Sequence, residues 1–249
     1  MKYAPLSTIH KLFFKTLRGS FDDVESGNDG VFEKKYTRFL QIPLPFKPPL
    51  LDLHDALAFR KSERVSTQRI LTKDDIGVLC GLGSRIPGAQ RRNYPSGGAR
   101  YPIEVYFINY DSSELEKGVY HYRSKRHVLE NLWGISVKQI YDILPCAWLK
   151  SEGAPNISGV FVFVATWARN EDKYRQFAYP LALTECGHIA QNILLAASSL
   201  SLRGVPVSGI NHDTMTELLG LDPEHETPLY SIIFPHGDTT ETRSAQEKQ

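Results

Sequence analysis

Cysteine is scarce in this chain of 249 residues: Cys80, Cys146 and Cys186 are its three. An odd count at wide spacing, with no C-x-x-C pair, argues against a disulfide framework and against a cysteine-rich zinc site. A reducing, cytoplasmic setting is therefore expected. Long apolar runs are missing too. No stretch approaches the roughly 20 residues of a membrane-spanning helix, and Met1-Lys2-Tyr3-Ala4-Pro5 does not lead into a signal-peptide core, so neither a membrane nor export is expected. Charge of one sign is lacking as well: 29 Lys and Arg stand against 28 Asp and Glu. That balance gives no electrostatic case for nucleic acid or an anionic membrane as partner.

Several chemical signatures are also absent. No G-x-G-x-x-G follows a first strand and no G-x-x-x-x-G-K-[ST] occurs, which speaks against a Rossmann dinucleotide site and a P-loop. The surroundings of Ser96 are not G-x-S-x-G, so a hydrolase nucleophile elbow is not indicated. The eight histidines, His10, His54, His121, His127, His188, His212, His225 and His236, form neither H-E-x-x-H nor a two-histidine–carboxylate spacing. A metal centre is not expected.

What is present falls into three parts. Residues 1–50 lack sustained periodicity, turn at Gly27-Asn28-Asp29-Gly30 and stiffen through Pro43, Pro45, Pro48 and Pro49; they are taken as an N-terminal arm. Residues 51–238 carry regular patterning and form the main domain, and 239–249 are a polar tail. Within the domain, Leu53, Ala56 and Leu57 mark a short helix that runs into Arg60-Lys61-Ser62-Glu63-Arg64. A second helix opens at Thr72, whose hydroxyl and Asp75 make a capping box, and is expected to end at Gly81 and Gly83. Ser136 with Gln139 is read as another capping box, opening a helix to about Pro145. Ile103 to Ile108, Val119 to Tyr122, Val160 to Thr166 and Leu229 to Phe234 have strand composition. Val160-Phe161-Val162-Phe163-Val164 is apolar on both faces, as in a central strand covered on each side. From Pro180 to about Leu202, apolar residues recur at helical spacing; Pro180 suits a first helical position, and Gly204 with Pro206 stops the run. Small residues there, including Ala196 and Ala197, suit close approach of a second helix.

Three short segments carry candidate chemistry. Arg60, Lys61, Ser62 and Arg64 supply the charged donors and hydroxyl that a phosphomonoester needs. Pro95-Ser96-Gly97-Gly98 is poor in side chains, which lets backbone amides approach a flat ligand or an anion. Val207, Ser208 and Gly209, after Pro206, form a further loop able to present main-chain donors. Taken singly, a solvated helix end and two ordinary turns explain them as well.

In their order around the Pro180 helix, these segments resemble the nitroreductase superfamily. Arg91-Arg92-Asn93-Tyr94-Pro95-Ser96-Gly97-Gly98-Ala99-Arg100-Tyr101-Pro102, Gly118-Val119-Tyr120-His121-Tyr122 and Glu185-Cys186-Gly187-His188-Ile189-Ala190-Gln191-Asn192 look like its SagB-type members, FMN-dependent azoline dehydrogenases of the kind that forms thiazoles and oxazoles in microcin B17. The resemblance spans about Asp52 to Gly237. It implies an α+β fold, a mixed, mostly antiparallel sheet flanked by helices, in a homodimer with FMN at the interface. The cation cluster would hold the phosphate and the two loops would meet the ring. It also implies a catalytic pair at Lys173 and Tyr174: aromatising an azoline removes a hydride and a proton, and either residue could be the base. Partners would be a precursor peptide and a cyclodehydratase complex. Arg100, where the family commonly has an apolar residue, and Phe177-Ala178, where Arg-Gly is frequent, are departures that bear on substrate identity. The alternatives are a general NAD(P)H-dependent nitroreductase and a non-catalytic scaffold of a peptide-modifying complex.

Overall fold

The structure, a computed structural model, describes residues 33–64, 68–135 and 156–237. The helix expected from Ser136 and the tail at 239–249 lie outside these, as do the first 32 residues of the arm. Seven strands form one sheet: β1 (Leu40–Pro43), β2 (Ile103–Asn109), β3 (Gly118–Arg123), β4 (Val128–Gly134), β5 (Asn156–Thr166), β6 (Val205–Val207) and β7 (Glu226–His236). Their order is β1-β4-β3-β2-β5-β7-β6. Every pairing among the described residues is antiparallel, so the sheet is more uniform than the mixed one expected.

The helices are α1 (Leu53–Phe59), α2 (Lys73–Gly83), α3 (Glu171–Tyr174), α4 (Ala178–Ser199) and α5 (His212–Leu219). They cover both faces. In β5, Phe161, Phe163 and Ala165 join the core beneath α2 and α4. The alternate residues Val160, Val162 and Val164 pack on the other side with Met215, Leu218 and Leu219 of α5. A strand buried on both faces has no polar alternation to show, which is why its sequence reads as an unbroken apolar run.

Local signals behave as elementary chemistry dictates. Thr72 caps α2, accepting from the Asp75 amide, while the Asp75 carboxylate accepts from the Thr72 amide at 2.7 Å. Such a box stabilises a helix start by about 1 kcal/mol. Helix α2 ends at Gly83, as expected, with Gly81 in its last turn. A Cβ at Gly83 would stand 2.3 Å from Cγ1 of Ile193, so glycine there serves the close approach of α2 to α4. Pro180 sits third in α4 rather than first; the N–H it lacks is still among those without an intrahelical partner. The expected loop after Gly204 is partly strand, since Val205, Pro206 and Val207 pair with β7.

The arm contributes to the sheet from residue 33 onward. Leu40–Pro43 pairs with β4 at one edge. Just before it, the Tyr36 amide donates to Glu130 at 3.0 Å and its hydroxyl meets that of Tyr106 at 2.9 Å.

Candidate active site

The Pro95–Gly98 segment enters a tight turn. Ser96 Oγ accepts from the Tyr101 amide at 2.8 Å, and Gly97–Ala99 forms a single turn of 3-10 helix. Gly98, Ala99 and Tyr101 all have positive φ, at 56°, 54° and 49°. For the two non-glycine residues that conformation costs about 1 kcal/mol or more each, so the surroundings must hold it. At Gly98 the reason for glycine is steric as well. A Cβ there would stand 2.7 Å from Tyr174 Oη and 3.1 Å from Lys173 Nζ.

The turn therefore packs directly against the Lys173 and Tyr174 side chains. Both amides of that pair donate to the Asn170 carbonyl, at 3.2 and 2.8 Å, closing the one turn of α3. Arg175, with φ 47° and ψ −128°, then breaks the helix. Lys173 Nζ lies 5.7 Å from the centre of the Tyr174 ring, and both side chains are half-buried. A second tie joins the same segments: Arg100 pairs with Asp172 at 3.3 Å. Phe177 closes the next 3-10 turn, and Ala178 begins α4 as a buried residue.

The other predicted residues stand apart. Arg60 caps the end of α1 and is half-buried, whereas Lys61, Ser62 and Arg64 are exposed. Lys61 pairs with Glu63 at 3.3 Å. Among the described residues, no hydrogen bond or ion pair joins this cluster to Pro95–Gly98 or to Val207–Gly209. Val207 is held in β6, while Ser208 and Gly209 are exposed beyond it, and a Cβ at Gly209 would meet nothing within 4 Å. Outward-facing cations suit a phosphate, and the open turn at Gly209, with the side-chain-poor Gly97-Gly98 turn, suits a flat ring. The residue set thus fits a flavin mononucleotide.

Sequence reasoning named Glu185 only within a family motif and gave it no role. It lies in α4, 2% exposed, and neither carboxylate oxygen has a hydrogen-bond partner among the described residues. The Ser96 hydroxyl and the Ile103 amide lie near enough to favour its charged form. Burial pushes its pKa up to about 7, with Ser96, Arg92 and Arg169 opposing the rise. A signal was available, because Glu185 falls three residues after Ala182 and four before Ile189, on the apolar stripe of the helix. Also missed was the cluster around Glu104. Its carboxylate accepts from His121 Nε2 at 2.9 Å and pairs with Arg169, while His121 Nδ1 meets Glu130 at 2.9 Å.

An antiparallel sheet sandwiched between helices, with a strained glycine turn at the end of one strand, defines the class as a nitroreductase-like α+β protein. The chain belongs to the nitroreductase family, whose description as "Nitroreductase family" matches residues 57–237. It is 30% identical over 164 residues to the microcin B17-processing protein McbC of Escherichia coli, covering 64% of this chain and 59% of that protein. It is also 30% identical over 150 residues to the trifolitoxin-processing protein TfxB of Rhizobium leguminosarum bv. trifolii, covering 57% of this chain and 39% of that one. The alignments thus span less than two thirds of the length of both relatives. Among solved structures, a chain of the E. coli microcin synthetase McbBCD complex with truncated pro-MccB17 bound superposes with a TM-score of 0.62 at 22% identity, covering 96% of this chain and 84% of that one.

Proposed function

We propose that this chain is an FMN-dependent dehydrogenase that oxidises thiazoline or oxazoline rings to thiazoles or oxazoles in a ribosomally made peptide. The observation that carries the reading is the meeting of Lys173 and Tyr174 with the Gly98 turn. It puts a candidate base against the segment assigned to the flavin ring, as the resemblance to SagB-type enzymes implies. The likeness to McbC and TfxB, which process microcin B17 and trifolitoxin, supports the same reading.

In this reading Arg60, Lys61, Ser62 and Arg64 hold the phosphate, and amides of Pro95–Gly98 and Val207–Gly209 face the ring system. Bound FMN supplies the hydride acceptor. Lys173 and Tyr174 take the proton from the ring carbon next to the one that loses hydride, and the close packing of the Gly98 turn holds them in place. Two copies assemble, since one chain leaves the phosphate cluster and the ring loops unjoined. Exposed Leu53, Leu57 and Phe59 on α1, with Tyr179 and Leu183 on α4, provide the apolar surface for that contact. Work on a peptide already cyclised by another enzyme implies association with a cyclodehydratase.

The test is direct. Purified protein loaded with FMN converts an azoline-bearing peptide with a mass loss of about 2 Da per ring. Lys173→Ala and Tyr174→Phe each retain the bound-flavin absorbance and lower the rate about 100-fold or more. Full activity in both variants removes the assignment of the pair. Rapid flavin reduction by NADPH without azoline turnover would instead select a general nitroreductase.

A further inference from the structure

A cavity of about 600 Å3 opens beside the Lys173–Tyr174 pair, within the usual size range of ligand sites. Arg100, next after the Gly97–Ala99 turn, and Asp172, next before Lys173, form one wall. Ala168 and Thr166 form another, and Glu33 and Lys34 close it from the arm. The cavity therefore shares two segments with the candidate catalytic pair, and a third part of its wall comes from outside the residues that match the family.

Its charges are spoken for. Lys34 pairs with Glu226 at 2.5 Å, Arg100 with Asp172 at 3.3 Å, and Arg169 with the buried Glu104. Glu33 pairs with Arg123 at 3.2 Å, and Asp222 with His225 at 2.8 Å. An anionic occupant would find no unmatched cation, and a cationic one would meet only the exposed Asp222, hydrogen-bonded to His225, so either would lose hydration with little compensation. That disfavours a nicotinamide dinucleotide, whose phosphates need surplus positive charge. Thr166, by contrast, lines the cavity and carries a buried hydroxyl oxygen with no hydrogen-bond partner among the described residues. A hydroxyl both donates and accepts, which matches a peptide group or an uncharged polar side chain.

We infer that this cavity is a subsite for an uncharged stretch of the substrate peptide flanking the ring under oxidation, with Glu33 and Lys34 of the arm as part of its wall. The inference rests on the azoline-dehydrogenase reading. It also gives Arg100 a role: paired with Asp172, it shapes the subsite wall without presenting a free charge.

The experiment uses the full chain loaded with FMN and two substrates, a small isolated thiazoline and the same ring inside a peptide with uncharged neighbours. Ala168→Phe, at an exposed position in the Trp167–Arg169 turn, places a ring in the cavity mouth. The ratio of kcat/KM for peptide over small substrate should fall at least tenfold, carried by KM. Ala168→Leu, a smaller step, should lower it by less and serves if the larger change prevents folding. A ratio within twofold of the unsubstituted protein in the folded variants overturns the subsite while leaving the dehydrogenase reading standing. An unsubstituted, FMN-loaded protein that oxidises neither substrate overturns both.

Discussion

Glu104 and Glu185 are two carboxylates at nearly the same depth, 3% and 2% exposed, and the fold treats them in opposite ways. Burial disfavours ionisation of both. Around Glu104 that cost is outweighed by the hydrogen bond from His121 and the charges of His121, Arg169 and Arg92, so its carboxyl is held well below the usual range. His121 gains in return. Burial works against its charged form, but hydrogen bonds to Glu104 and Glu130 raise its pKa above 6.5. At Glu185, Ser96 and the same two arginines oppose burial without outweighing it, and with no histidine partner its pKa is pushed up to about 7. Depth alone does not set the state of an acid; the neighbours within hydrogen-bonding reach do. The first carboxylate ties strands and arm together, while the second leaves a proton exchangeable beneath the Ser96 turn.

The largest expected effect breaks the paired region. Glu104→Gln leaves His121 and Arg169 with less compensation and should cost about 3–5 kcal/mol of stability near pH 7, read from chemical denaturation. Because the folded pKa of Glu104 is depressed, its contribution is present above the ordinary carboxylate value of 4.5 and lost as pH falls below it. The gap between variant and parent should therefore narrow in acid. A penalty unchanged at pH 3 would count against the ionic account.

A smaller effect of opposite sign sharpens the other side. The folded pKa of Glu185 is raised, from 4.5 to about 7, so the fold binds its proton more tightly than the unfolded chain does. Stability from this group is greatest below pH 4.5 and falls as pH rises through 7. Glu185→Gln should be close to neutral at pH 4 and more stable than the parent at pH 8, by up to about 3 kcal/mol. Equal melting temperatures at pH 8 would show that the carboxylate has found partners after all. The smallest effect tests the reach of the paired region into the arm. Tyr36→Phe removes the hydroxyl contact with Tyr106 and should cost about 1 kcal/mol, with the same pH profile for Glu185.

What was legible in the sequence follows the range of each interaction. The Thr72 capping box is a contact over three residues and was readable as letters. So were the apolar stripe of α4 and the two-sided burial of β5, because periodicity reports a face directly. β1 and β4 were not read, since their pairing joins Leu40 to Asn131 and neither strand alternates cleanly. Gly83 does close α2, but the second use of Gly81 and Gly83, room for Phe46 and Ile193, is set by distant residues and was not readable. In the candidate site, Lys173, Tyr174 and Gly98 were each singled out, the pair through the family resemblance. Their meeting needed the fold. Glu185 and the partners of Glu104 went unread for the same reason: the sequence shows a charge, and only packing shows what neutralises it.

The two borders of the sheet carry one more lesson. Among the described residues the outer strands are β1, four residues ending in Pro43, and β6, three residues centred on Pro206. Proline offers no N–H to a newcomer, and so short a border gives an extended chain little to zip onto. Such borders blunt the easiest place for an extended chain to stick. On the proposed reading, the choice of a peptide guest would then pass from backbone pairing to the shape of a hole.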